Sequence, residues 1–292
     1  MIPPPGPHGG DGARVAVALG LADVLDLSLS LNPMAPDVGP IVARHLTALR
    51  RYPDPEPATA ALAATIGVDR DRLLLTNGGA EAIALVAAEV GGRVEEPEFS
   101  LHPRGQGLLW RSNPHNPSGA LAPADAAAGV WDEAFWPLAT GTWTRGDADA
   151  GSWVVGSLTK LLACPGLRVG YVLAPSAAEA QRVASRQPAW SVNGLAAAAL
   201  PELLATVDLP AWSAGTARLR ARLVEVLEGR GLRVLEGSVA PWVLVDEPDL
   251  RARLAPRGVV VRDCTSFGLP RHARIAVPDE DGLARLEEAL GP

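Results

Sequence analysis

From about Asp54 to Pro175 the chain alternates helical segments with short apolar runs that end in Gly, Pro or Asn, a rhythm that few folds accommodate. Ala58–Ile66 predicts a helix, Arg72–Thr76 (RLLLT) a strand, and Ala80–Val90 a helix opening directly after Asn77-Gly78-Gly79. Arg93–Glu95, Leu108–Arg111, Gly129–Trp131, Trp153–Gly156 and Val169–Leu173 are short strand candidates, each followed by polar or Gly/Pro punctuation. Such alternation predicts a mostly parallel sheet flanked by helices, with the ligand site at the carboxyl ends of the strands.

The pattern changes further on. Ala177–Ser185 and Leu195–Ala205 predict helices, and Thr216–Gly229 is amphipathic, with Leu219, Leu223 and Leu227 at i, i+4 and i+8. Arg233–Glu236, Pro241–Val245, Leu250–Leu254, Val259–Arg262 and Arg274–Val277 follow, then a final helix, Gly282–Leu290. That is an α+β pattern. It divides the chain into an N-terminal arm and pocket segment (1–50), a large domain (51–208) and a small C-terminal domain (209–292).

Composition narrows the function classes. With 48% hydrophobic and 20% charged residues, a disordered, charge-rich chain is excluded. The 26 Lys and Arg against 33 Asp and Glu give a net charge of −7, and no Lys/Arg run appears. Nucleic acid and anionic membrane are therefore not expected as partners. Cys164 and Cys264, a hundred residues apart, make no metal-ligand pattern, and two free thiols fit a reducing cytosol. Met1–Gly12 is Pro- and Gly-rich without the apolar core of a signal peptide, and stretches such as Ile83–Ala88 are far short of a membrane span. A cytoplasmic protein with a small ligand and no metal is the expectation.

Three segments carry the chemistry: Thr76-Asn77-Gly78-Gly79-Ala80-Glu81-Ala82-Ile83, Asn113-Pro114-His115-Asn116-Pro117-Ser118-Gly119, and Ser157-Leu158-Thr159-Lys160 running on to Pro165-Gly166-Leu167-Arg168-Val169-Gly170-Tyr171. Between the last two lies Trp131-Asp132-Glu133-Ala134-Phe135. Singly they read as turns and a solvated lysine. In this order they resemble the fold-type-I pyridoxal-phosphate enzymes of the class I/II aminotransferase superfamily. The resemblance runs from about His8 to Val277. It is closest to the cobalamin-pathway branch of threonine-phosphate decarboxylases, near the histidinol-phosphate aminotransferases.

The resemblance implies an α/β fold with a sheet of the seven-stranded type, pyridoxal 5′-phosphate as cofactor, and a homodimer. Lys160 falls at the position of the lysine that bonds the cofactor aldehyde, and Asp132 at that of the carboxylate facing the ring nitrogen. Gly79 and Ala80, opening a helix after a strand, can offer N–H groups to the phosphate, with the Ser157 hydroxyl and Arg168 as further contacts. Asn116 matches the partner of the ring's 3′ oxygen, Phe99 the aromatic that stacks on the ring, and Tyr52 a tyrosine reaching the phosphate from the neighbouring subunit. For the substrate, Arg274 matches the carboxylate-binding arginine, whose guanidinium fork suits that group. His8 and Arg262 resemble the pair that holds a substrate phosphate, and Asn32 falls in a pocket-lining segment.

Two departures from the family pattern stand out. Position 135 is Phe where many aminotransferases carry a tyrosine, which favours the cobalamin-type branch. Only thirteen residues, Ser100–Ser112, separate Phe99 from Asn113, enough for a turn and one strand but not for a crossover helix and two. The sheet is therefore expected to be short by one edge strand. The implied activity is a lyase or aminotransferase acting on a small, phosphorylated amino acid, with L-threonine O-3-phosphate decarboxylation ahead of histidinol-phosphate-type transamination. A cofactor-binding but non-catalytic paralogue is the alternative from another class.

Overall fold

A computed structural model describes residues 1–6 and 8–291. Ten strands occur among them: β1 (Leu25–Leu27), β2 (Leu73–Thr76), β3 (Arg93–Val94), β4 (Leu109–Ser112), β5 (Val130–Asp132), β6 (Trp153–Ser157), β7 (Gly170–Leu173), β8 (Trp242–Asp246), β9 (Val259–Asp263) and β10 (His272–Ala276). They form a six-stranded sheet of order β2-β7-β6-β5-β4-β3 and a four-stranded sheet of order β1-β9-β10-β8.

In the larger sheet β3, β4, β5 and β6 run parallel, and β7 is antiparallel to both of its neighbours, β6 and β2. Strands covered by helices on both faces have no polar side to present, which is why β6 and β7 read as continuous apolar runs. Trp153, Val154 and Val155 are buried, as is the whole of β7. The sheet has six strands, one fewer than the seven-stranded type, and its outer edge at β3 is only two residues long. The thirteen residues 100–112 form a loop followed by β4. Trp110 anchors that loop's return by donating from Nε1 to Gly91 O at 2.9 Å.

The register sets the site. Ser112 pairs with Asp132, Asp132 with Val155, and Ser157 and Thr76 both with Gly170. The carboxyl ends of four strands thus gather within two residues of one another at one end of the sheet, where open α/β folds bind ligands.

Residues 1–50 form more than an arm. β1 joins the small sheet, parallel to β9, and Val15 packs on Ala255 and Val260. Nor does the chain divide cleanly at 208/209. One helix, Leu209–Gly229, buries Leu209 and Trp212 in the core of the large sheet and Leu219, Leu223 and Leu227 in that of the small one. At 21 residues, roughly 30 Å at 1.5 Å per residue, it is long enough to serve both. Its start is fixed by Asp208, whose side chain accepts from Ala211 N. Arg233–Glu236 forms no strand, only a bridge from Val234 to Val245, and Leu250–Leu254 is helical. The other expected elements occur within a few residues of their expected bounds.

Candidate active site

A cavity of about 270 Å³ opens between the gathered strand ends and the small sheet. Eleven of the thirteen residues singled out from sequence line it: His8, Gly79, Ala80, Phe99, Asn116, Asp132, Ser157, Lys160, Arg168, Arg262 and Arg274. Two do not. Asn32 is buried, but its Nδ2 donates to Leu161 O at 2.8 Å and its backbone N to Lys160 O at 3.1 Å. It braces the turn that carries Lys160 instead of facing the ligand. Tyr52 is 77% exposed and stacks on Trp190 at 4.5 Å, away from the cavity of its own chain.

One wall is built to receive an anion. The helix Gly78–Val90 begins at the end of β2, and its first-turn N–H groups lack intrahelical acceptors. Gly78 has φ of +76°, and a Cβ there would lie 2.3 Å from Arg168 Nη2. Glycine is required so that the guanidinium can reach the helix end. Arg168 itself holds a left-handed φ of +53°, a strained conformation for a side chain of its size. The Ser157 and Thr159 hydroxyls meet 2.9 Å apart on the same wall. Helix dipole, guanidinium and hydroxyls converge as a phosphate group requires.

Lys160 lies on the single turn Leu158–Leu161 after β6. Burial, with help from the charges of Arg168 and Arg274, lowers its pKa, while Asp132 opposes the shift. A buried amine biased toward its neutral form is a nucleophile. Across the cavity, Asp132 ends β5. Its Oδ1 accepts from Ala134 N at 2.9 Å, and its Oδ2 lies 3.0 Å from Nε2 of His102, a fully buried ring. His102 was missed from sequence; the available signal was a lone imidazole inside the shortened segment. Ser28, Ser30 and Phe267 also line the cavity, with no local motif to mark them.

The small sheet contributes two neighbouring arginines. Arg274 on β10 is in register with Arg262 on β9. Arg274 donates from Nη1 to Asn116 Oδ1 at 2.6 Å and lies over the Trp242 ring at 4.8 Å. Its Nε has no partner among the described residues, and burial lowers its pKa to about 10. Arg262 donates to Ser266 Oγ at 2.9 Å and to Gly6 O at 3.3 Å. Burial, and secondarily the charge of Arg262, lowers the pKa of His8, whose Nδ1 is 3.2 Å from Ser100 Oγ. The lining thus holds Lys160 and three guanidiniums against one carboxylate, Asp132.

Behind Asp132, burial lifts Glu133 to about 7, with Asp147 adding to the rise and the Thr144 hydroxyl, the Arg145 amide and the Arg145 charge acting the other way. A carboxyl raised from 4.5 stabilises the fold fully below its unfolded value, and that stability is lost as pH rises through about 7. Glu133→Gln is therefore expected to exceed the wild type by about 1–3 kcal/mol at pH 8 and to match it near pH 4.5. Thermal melts at both pH values check this; a gap that does not change with pH would refute it.

A guanidinium at a helix N-terminus, a buried lysine and a carboxylate at a strand end are groups that an anionic aldehyde cofactor would engage. The chain belongs to the aminotransferase class I and II family, whose model matches residues 96–290. It is accordingly a pyridoxal-phosphate-dependent enzyme. It is 29% identical to the threonine-phosphate decarboxylase of Salmonella typhimurium, an alignment covering 97% of this chain and 95% of that protein. The alignment spans 349 positions and this chain has 292 residues, so at least 349 − 292 = 57 positions have no counterpart here. It is 27% identical to the histidinol-phosphate aminotransferase of Halorubrum lacusprofundi, over 92% and 89% of the two chains. Among solved structures, the histidinol-phosphate aminotransferase of Sinorhizobium meliloti in complex with pyridoxal-5′-phosphate is similar in fold, with a TM-score of 0.83. That match is 18% identical and covers 99% and 94% of the chains.

Proposed function

We propose that this enzyme acts on a small phosphorylated amino acid and that decarboxylation of L-threonine O-3-phosphate is its reaction. The observation that carries this is the lining charge: three guanidiniums, of which Arg262 and Arg274 sit side by side on adjacent strands. Arg168, with the helix end at Gly79 and Ala80 and the Ser157 hydroxyl, would hold the cofactor phosphate. Arg274 then meets a substrate carboxylate, and Arg262 with His8 a substrate phosphate, so each cation has an anion of its own. In histidinol-phosphate-type transamination Arg274 would hold the carboxylate of the oxoacid and have no anion on the amino alcohol phosphate itself, which sets that reading second.

Phe99 would cover the ring of pyridoxal phosphate, Asn116 the 3′ oxygen through its Nδ2, and Asp132 the ring nitrogen. When bound, the cofactor supplies an electron sink for the bond broken at the substrate α-carbon. Lys160 contributes the amine that would bond the aldehyde at rest and carry a proton at Nζ during turnover. Arg274 is held by Asn116 and the Trp242 face, so it enters the reaction already oriented. Tyr52, with Trp190, Leu46 and Leu49, forms an exposed apolar surface suited to a second copy of the chain. In the homodimer read from the family, Tyr52 would reach the partner's phosphate site.

The test is to supply L-threonine O-3-phosphate to the enzyme loaded with pyridoxal phosphate. Release of carbon dioxide in step with substrate loss is expected. Transfer of the amino group to an oxoacid without carbon dioxide would favour transamination. A bound cofactor with no turnover of any phosphorylated amine would favour the non-catalytic reading. His8→Ala is expected to lower kcat/KM for the phosphorylated substrate by roughly 10- to 100-fold, the range of a hydrogen bond to a charged group, and to spare unphosphorylated threonine.

A further inference from the structure

The segment between β3 and β4 holds its place without a strand. β3 ends at Val94, so the outer edge of β4 has no neighbour at Ser112. A buried carboxylate takes that place. Glu98, 2% exposed, accepts from Ser112 N at 2.8 Å, from Ser112 Oγ at 2.5 Å and from Phe99 N at 2.7 Å. On the solvent side one guanidinium gathers the same loop. Arg104 donates from Nη1 to the carbonyls of Phe99, Ser100 and His102 at 3.3, 3.2 and 2.7 Å. Its Nη2 reaches Glu98 O at 3.0 Å, and its Nε the Glu96 carboxylate at 2.6 Å.

These bonds converge where the cavity needs order. Phe99 lines the cavity, and His102 meets Asp132. Glu98 Oε1 also lies 3.7 Å from Nδ1 of His102. A glycine- and proline-bearing loop of this length gains most of its freedom from rotation about its own peptides, and four of those carbonyls are tied to one side chain. We propose that Glu98 and Arg104 are positioning residues: pinning residues 96–104 from inside and outside, they stand in for an edge strand and fix Phe99 and His102 against the cofactor. The proposal rests on the reading of this cavity as the pyridoxal-phosphate site.

Arg104 is on the surface, so its replacement is not expected to unfold the chain. Arg104→Ala apoprotein is expected to keep a cooperative melt while amide exchange over residues 96–104 accelerates by roughly tenfold or more, the signature of local opening. The dissociation constant for pyridoxal phosphate should rise roughly tenfold, as for one lost charge-assisted hydrogen bond. The visible circular dichroism of the bound cofactor should weaken, because it reports the orientation of the ring. Arg104→Lys keeps the charge but not the fork and should recover only part of each effect. Glu98→Gln should reproduce the loss of dichroism. Unchanged exchange in Arg104→Ala, or faster exchange with unaltered cofactor affinity and dichroism, overturns the proposal. A wild-type protein that binds no pyridoxal phosphate would instead overturn the cofactor reading beneath it, and the exchange measurement separates the two failures.

Discussion

Replacing Lys160 with alanine is expected to abolish the visible band of lysine-bound pyridoxal phosphate and to stop turnover. Loss of the proton carrier alone is worth about 10²–10⁴-fold, and the covalent role adds to it. The apoprotein should lose no stability. Burial lowers the pKa of Lys160, so its cationic form is disfavoured in the fold, and alanine removes that cost. The phosphate wall does not include Lys160, so added pyridoxal phosphate should still bind, with the spectrum of the free aldehyde. Titration of the variant with cofactor, read by absorbance, checks all three points. Survival of the wild-type band would remove Lys160 from its role.

The second large effect concerns Arg274. Arg274→Met is expected to lower kcat/KM for the amino acid substrate by about 30- to 5,000-fold, equivalent to 2–5 kcal/mol for a buried charge pair cut at one partner. Arg274→Lys should rescue little, because one ammonium cannot hold Asn116 Oδ1 and a carboxylate in the geometry of the guanidinium fork. The melting temperature of Arg274→Met should hold or rise. Arg274 is buried, has no partner for its Nε among the described residues and is paired with a neutral amide, so a methionine of similar length relieves desolvation. A residue kept at a cost to stability and needed for kcat/KM is one retained for its ligand. Normal kinetics in Arg274→Met would place the carboxylate elsewhere.

The two measurements divide the site between cofactor and substrate. Lys160→Ala acts on the spectrum before any substrate is present. Arg274→Met should keep the cofactor band and show its main effect when the amino acid is added.

Much of the cavity lining was legible through the family resemblance, because the motifs that carry it are local. Gly78 and Gly79 after a strand, Asn116 among prolines, and Lys160 with Arg168 eight residues on each sit within one turn or strand end, where backbone geometry follows from neighbours in sequence. The missing edge strand was legible as well, since thirteen residues cannot hold a crossover and two strands. What escaped depends on contacts remote in sequence. His102 becomes part of the site only because Glu98 and Arg104 fold its loop back onto Asp132, 30 residues away. Asn32 faces the turn of Lys160, 129 residues from its bonding partner Leu161, and no local pattern states which way its amide points.

By itself, then, the amino-acid sequence determined the strand–helix order and the residue types offered at the strand ends, because periodicity, glycine and chain length act over a few residues. The tertiary structure alone decided that β1 would complete the small sheet and that one helix would serve both cores. It also decided that Arg262 and Arg274 would stand in register on neighbouring strands at the wall of the cavity that holds Lys160. Those outcomes turn on burying apolar surface between elements a hundred or more residues apart, a choice made by the packed chain as a whole.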